Sequence, residues 1–200
     1  MGLNIAYYFA PQSPWTYLGH ARFVAMALES GAEVEVLPVD LGRIFPMSGG
    51  LPLGKRAPQR QAYRLQELRR FSELLDLPMH LQPRYFPVAG DPAARLITAA
   101  VHTLGGTAAL RLSGAVLTAV WAQQRDIADA ATLGLLLEES GLPAELLEQS
   151  TSAAVQAIYD SATQRAIDAG VFGAPTWAIA DELFWGQDRL DFVARRLGLA

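Results

Sequence analysis

The chain has 200 residues, enough for one domain or one domain carrying an insertion. Its 16 basic and 20 acidic side chains leave a formal net charge of −4, which offers no footprint for nucleic acid or for an anionic membrane surface. It contains no cysteine, so disulfides, thiolate metal sites and dithiol redox chemistry are all excluded. The opening residues lack the charged and apolar regions of a secretory leader, and no apolar run is long enough to span a bilayer. A cytoplasmic protein is the expectation.

Residues 3–9, LNIAYYF, read as a buried strand. Ser13 followed by Pro14 is a strong helix start, because serine accepts from orphan N–H groups and proline in the first turn loses no intrahelical bond. Tyr17, Ala21, Val24 and Leu28 mark an apolar face, and Gly31 is the stop. Residues 33–41, EVEVLPVDL, alternate as a second strand, which predicts a right-handed βαβ unit with parallel strands. Residues 42–58 are rich in glycine and proline and read as a loop. A charged amphipathic helix follows from Pro58 to about Leu77, then the irregular DLPMHLQPRYFP. About five helices are expected from Asp91 to Gly170, with breaks near Gly105-Gly106, Asp126 and Gly141 to Pro143. Residues 174–186 read as strand, tight turn, strand, and QDRLDFVARRLGL closes the chain as a helix. The order predicts an α/β, thioredoxin-like fold (βαβ…ββα). Residues 1–41 and 171–200 form its thioredoxin-like part, and residues 42–170 a large helical insertion.

The run Ser13-Pro14-Trp15-Thr16 has the spacing of a Cys-Pro-Trp-Cys dithiol signature with both sulfurs replaced. In a dithiol site the first cysteine sits at a helix N-terminus, where the dipole and free N–H groups favour a thiolate. A serine hydroxyl there is too weak an acid to ionise, and no base lies near it in sequence. Ser13 therefore reads as a hydrogen-bond donor to an external anion, and an external thiolate fits best. Pro175, at the start of the penultimate strand, occupies the position of the cis-proline of such folds. That proline leaves the backbone of the preceding residue, Ala174, free to pair with an extended peptide such as glutathione.

With SPWTYLG, LGRIFPMSGG, PQRQAYRLQELRRF, GVFGAPTW and LFWGQDRLDF in this order, the chain resembles the 2-hydroxychromene-2-carboxylate isomerase family nearly end to end. That family is related to kappa-class glutathione transferases and DsbA-like oxidoreductases. The resemblance implies a glutathione-dependent isomerase of naphthalene-type aromatic catabolism. It implies that Ser13 holds the glutathione sulfur, with Trp15 alongside, that Ala174 before Pro175 pairs with the cysteinyl backbone, and that Gln187 and Asp188 receive the γ-glutamyl end. It places Pro58 and Arg60 at the site's border. Arg60, with Lys55, is expected to attract the substrate carboxylate, Gly50 falls at a ligand-contacting position, and Trp15 and Tyr85 are candidates for an aromatic wall. A homodimer is also implied.

The chain departs from the family at Arg60 (usually lysine), Glu67 (usually aspartate), Ala10, Gly50 and Gln187, so its natural substrate need not be the namesake. Each feature alone has an ordinary structural reading. Ser13 is then a helix cap, Pro175 a trans proline, Asp188 a helix-start charge and Arg60 a solvated cation among alternating charges. Trp121, Trp177 and Trp185 read as core or interface aromatics. His20, His80 and His102 share no ligand spacing, so no metal is expected. Two other functions stay open: a kappa-like glutathione transferase and a non-enzymatic thioredoxin-like module that holds peptides.

Overall fold

The computed structural model describes residues 3–199. Asn4–Phe9 form β1, Pro14–Ser30 form α1 and Glu33–Pro38 form β2. β1 and β2 pair in parallel, from Asn4 with Glu33 to Phe9 with Pro38. α1 begins where Ser13, in extended backbone, accepts the Thr16 N–H at 3.2 Å. It ends at Gly31, whose left-handed conformation suits glycine.

The buried face of α1 differs from the expected one. It runs through Tyr17, His20, Phe23 and Ala27, while Leu28 is 81% exposed and Ala21 faces solvent. The face is rotated because His20 is taken inside, where both ring nitrogens find partners. Nδ1 lies 3.1 Å from the Tyr7 hydroxyl and Nε2 lies 3.0 Å from the Leu110 carbonyl. A carbonyl only accepts, so Nε2 carries the proton and Nδ1 accepts from Tyr7.

The expected loop over residues 42–58 also differs. Leu41–Ser48 form α2 and Leu53–Lys55 a 3₁₀ turn. Asp40 caps α2 by accepting the Gly42 N–H at 2.7 Å, and Ile44 anchors the helix in the core although Pro46 forgoes one helical bond. Pro58–Leu74 then form α3. Between residues 91 and 170 lie the five expected helices: α4 (Asp91–Leu104), α5 (Gly106–Trp121), α6 (Ala130–Glu139), α7 (Glu145–Gln149) and α8 (Ala153–Asp168). Thr176–Ile179 form β3, Glu182–Trp185 form β4, and a 3₁₀ turn at Gln187–Arg189 leads into α9 (Leu190–Arg196).

The sheet order is β2-β1-β3-β4, with β3 antiparallel to both β1 and β4. This is the thioredoxin-like arrangement, and its register locates the site. Thr176, the first residue of β3, pairs with Tyr8 near the end of β1 and with Trp185 at the end of β4. The chain leaving β1, the chain entering β3 and the chain leaving β4 therefore meet at one end of the sheet. Tyr7 and Trp177 stack there at 5.8 Å between centroids, with Phe23 of α1 5.3 Å from Trp177. Leu96, Leu112 and Leu133 of the helical block belong to the same core cluster, so sheet and helices share one interior.

Burial drives the His20 pKa from 6.5 down to about 4, against a smaller opposing effect of the bond to Leu110. The unfolded chain binds this proton near pH 6.5 and the folded chain only near pH 4. Stability is thus full above the unfolded value and falls as the pH drops through this window, by ~3 kcal/mol in total. Urea unfolding midpoints should begin to fall below about pH 6.5, before ordinary carboxylates titrate. A midpoint unchanged from about pH 7 to about pH 5 would contradict this role for His20.

Candidate functional site

At the start of α1, the first turn leaves one donor free. Pro14 has no N–H, the Thr16 N–H goes to Ser13 Oγ at 3.2 Å and the Tyr17 N–H to the Ser13 carbonyl at 3.1 Å. Among the described residues only the Trp15 N–H of this turn has no acceptor. The Ser13 hydroxyl points its own hydrogen at the Ala174 carbonyl, 3.5 Å away, a contact at the outer limit of a hydrogen bond. The Ala174-Pro175 peptide is cis, and the Ala174 N–H has no backbone partner among the described residues. A helix N-terminus with a spare N–H and a loosely held hydroxyl favours an anion.

β4 returns to the same place. Gly186, at φ 101°, a value side chains resist, donates its N–H to the Pro175 carbonyl at 2.9 Å. That turn delivers Gln187, which is 1% exposed. Its Oε1 accepts from Arg22 Nη1 at 3.3 Å, and since a guanidinium only donates, the amide orientation is fixed. Its Nε2 is then left as a buried donor with no partner, which is costly unless a ligand supplies the acceptor. Gly19 makes the fit possible, because a Cβ there would lie 2.8 Å from Gln187 Cβ.

A cavity of about 490 Å³ opens over these residues, within the size range of small-molecule sites. Trp15, Ala174, Gln187 and Asp188 line one side, and α3 supplies Arg60, Tyr63, Arg64, Glu67 and Phe71 on the other. Trp15 and Phe71 meet edge to face at 6.1 Å, joining α1 to α3. Trp185, Arg56 and Arg189 complete the aromatic and cationic lining. The two carboxylates are engaged, Asp188 by Arg189 at 2.8 Å and Glu67 by Arg70.

The expected site residues fall into two groups. Trp15, Arg60, Ala174, Gln187 and Asp188 line the cavity. Ser13 lies just beneath, 7% exposed and in contact with Ala174, and Pro175 and Pro58 each adjoin a lining residue. Gly50 is packed on the Phe45 ring, Lys55 is exposed, and Tyr85 is exposed with Arg84 over its ring at 5.4 Å; none of these three is in the lining. Trp121 and Trp177 are fully buried, as expected of core aromatics, but Trp185 is half exposed and lines the cavity. Arg56, Arg64 and Phe71 were not singled out from sequence. Arg60 and Arg64, one turn apart on α3, gave a helical-face signal, whereas Arg56 lies in extended backbone just before that helix.

The chain matches the family model of the DSBA-like thioredoxin domain over residues 4–198. It is 29% identical over 195 residues to the 2-hydroxychromene-2-carboxylate isomerase of Sphingobium xenophagum, covering 96% of this chain and 97% of that one. It is 27% identical over 198 residues to the 2-hydroxychromene-2-carboxylate isomerase of Pseudomonas putida, covering 97% and 94%. A solved structure of a 2-hydroxychromene-2-carboxylate isomerase superposes with a TM-score of 0.82 at 25% identity, over 98% of this chain and 95% of that one. The cytosolic disulfide reductase DsbM from Pseudomonas aeruginosa, solved with GSH, shares the fold at a TM-score of 0.69 and 20% identity, over 98% and 100% of the two chains. No described helix is long and apolar enough to cross a membrane.

The contact between Gly19 and Gln187 sets a test of the seat. Alanine normally stabilises a helix interior over glycine by about 1 kcal/mol. Here Gly19→Ala must push Gln187 off α1, and a net loss of ~1–3 kcal/mol in denaturant unfolding is expected. A net gain in stability would mean that Gln187 is not held where described.

Proposed function

The chain belongs to the DsbA-like thioredoxin domain family, and from that premise we propose that it is a glutathione-dependent isomerase. Its substrate is 2-hydroxychromene-2-carboxylate or a related aromatic enone acid, converted to the trans-o-hydroxybenzylidenepyruvate type of product. The single observation that carries this reading is the start of α1. It is arranged to stabilise an anion, faces the Ala174 backbone, and stands in a chain with no sulfur nucleophile of its own. The isomerase relatives support the reaction type.

The residues present fit the tripeptide. The free Trp15 N–H and the Ser13 hydroxyl suit a thiolate, the hydroxyl giving up only its long contact with Ala174. The Ala174 backbone suits the cysteinyl amide. The orphaned Gln187 Nε2 suits the γ-glutamyl carboxylate, and the Asp188 oxygen not held by Arg189 suits the ammonium. Pro58 starts α3 next to Gln59 of the lining. When bound, glutathione supplies a nucleophile that adds reversibly to the enone, so that the former double bond rotates as a single bond. Ser13 and the α1 N-terminus stabilise negative charge on sulfur. Arg60 holds the substrate carboxylate, and Trp15, Tyr63, Phe71 and Trp185 present aromatic surface to its ring. The same reading makes the protein a cytoplasmic homodimer.

Ultraviolet monitoring of 2-hydroxychromene-2-carboxylate, with and without reduced glutathione, tests the proposal. Conversion should require glutathione and leave its concentration unchanged. Conversion at the same rate without glutathione would contradict the borrowed nucleophile, and accumulation of a stable glutathione adduct would assign a transferase instead.

A further inference from the structure

The cationic side of the cavity holds more positive charge than a single substrate carboxylate requires. Arg56, Arg60 and Arg64 follow one another at four-residue spacing, and all three line the cavity. Among the described residues none of them forms an ion pair. Arg64 is the most confined. Its guanidinium lies 5.3 Å from the ring centre of Phe86 and 5.8 Å from that of Trp121, contacts that confine it but supply no counter-charge. Burial, and then the neighbouring Arg56, lower its pKa to about 10, so it stays charged at neutral pH. Arg56 is itself depressed by desolvation and by Arg60, and its Nε is spent on the Leu51 carbonyl at 2.7 Å.

Helix energetics point the same way. Arg60 sits in the first turn of α3, which has no acidic residue and no side-chain cap. Cations are disfavoured at that end of a helix, and like charges one turn apart repel. The arrangement is unfavourable for the free protein and becomes favourable once anions fill it.

A count of charges defines the ligand, given the reading of this cavity as the substrate site. Glutathione carries two carboxylates, and Gln187 with Asp188 accounts for the γ-glutamyl end. Its glycine carboxylate uses one guanidinium of the three. Two remain for the substrate. We propose that this cavity selects aromatic substrates bearing two acidic groups, with Arg60 holding one and Arg64, clamped on Phe86 and Trp121, reading the second. Arg64 is thus a specificity-determining residue, and the stiffness of its clamp makes the spacing between the two acids part of the selection.

The test measures binding and needs no turnover, so its failure is separate from failure of the isomerase reading. Trp15 and Trp185 line the cavity and report occupancy by their fluorescence. The full chain, with reduced glutathione present, is titrated with benzene-1,3-dicarboxylate and with benzoate. The dicarboxylate should bind about tenfold more tightly, well above the twofold statistical advantage of two acids, and the gap should shrink with added salt. Arg64→Met should bring the ratio close to the statistical value, and Arg64→Lys should restore only part of it, keeping the charge without the planar fork. A wild-type ratio near the statistical value overturns the proposal, as does an Arg64→Met protein that binds benzoate and keeps the full ratio.

Discussion

The pairing of β1 with β3 holds the start of α1 against the Ala174-Pro175 loop, and the candidate site depends on that juxtaposition. Because Tyr8 and Thr176 are opposite one another, Ser13 and Ala174 come into contact although they are 161 residues apart. Trp177, one residue further along β3, stacks on Tyr7 and packs at a tilt against Phe23, which holds α1 to the sheet. Gly186 then ties the exit of β4 to Pro175, so Gln187 reaches the same point from a third direction. The scaffold thus gathers the unoccupied Trp15 N–H, the Ser13 hydroxyl and the buried Gln187 side-chain amide beside one cavity. Such preorganisation favours recognition of a negatively charged, peptide-like ligand.

The opposite wall obeys a different economy. α3 has no side-chain cap at its start and carries the Arg60 guanidinium where a helix prefers acids. Local stability is set aside there, while Arg22, which fixes Gln187, and Arg70, which holds Glu67, are spent on orientation and neutralisation. Unpaired positive charge facing an aromatic-lined cavity suits acidic aromatic ligands.

Much of this was legible in the sequence because the relevant signals are local. Ser13-Pro14 and Gly31 bound α1 by capping chemistry, and the strands show in their runs of aromatic and β-branched residues. The face of α1 was not legible, because an apolar count sees His20 as polar and cannot see Tyr7 and Leu110 waiting for it. α2 was hidden by Pro46 and the flanking glycines, and the Asp40 cap and the burial of Ile44 that support it are local and tertiary details an apolar count does not show. The roles of Tyr85 and Arg64 depend on tertiary contacts. The chain turns Phe86 inward and leaves Tyr85 in solvent, and the ring pair that receives Arg64 comes from two segments distant in sequence from it and from each other. In KRAPQRQAYRLQELRR, alternating charge looked like a solvated surface, and nothing in the string indicated which arginines lie without a carboxylate.

The most direct measurement is a pH titration of the thiolate absorbance of glutathione bound to the protein, near 240 nm, compared with free glutathione. A helix N-terminus with the Ser13 hydroxyl and Trp15 N–H available should hold the bound thiol's pKa below that of a free thiol, about 8.5, as it does for cysteines in that position. Ser13→Ala should move it back upward. A bound thiol that titrates with the free value, or a Ser13→Ala protein indistinguishable from wild type, would contradict the claim that the start of α1 is the sulfur site.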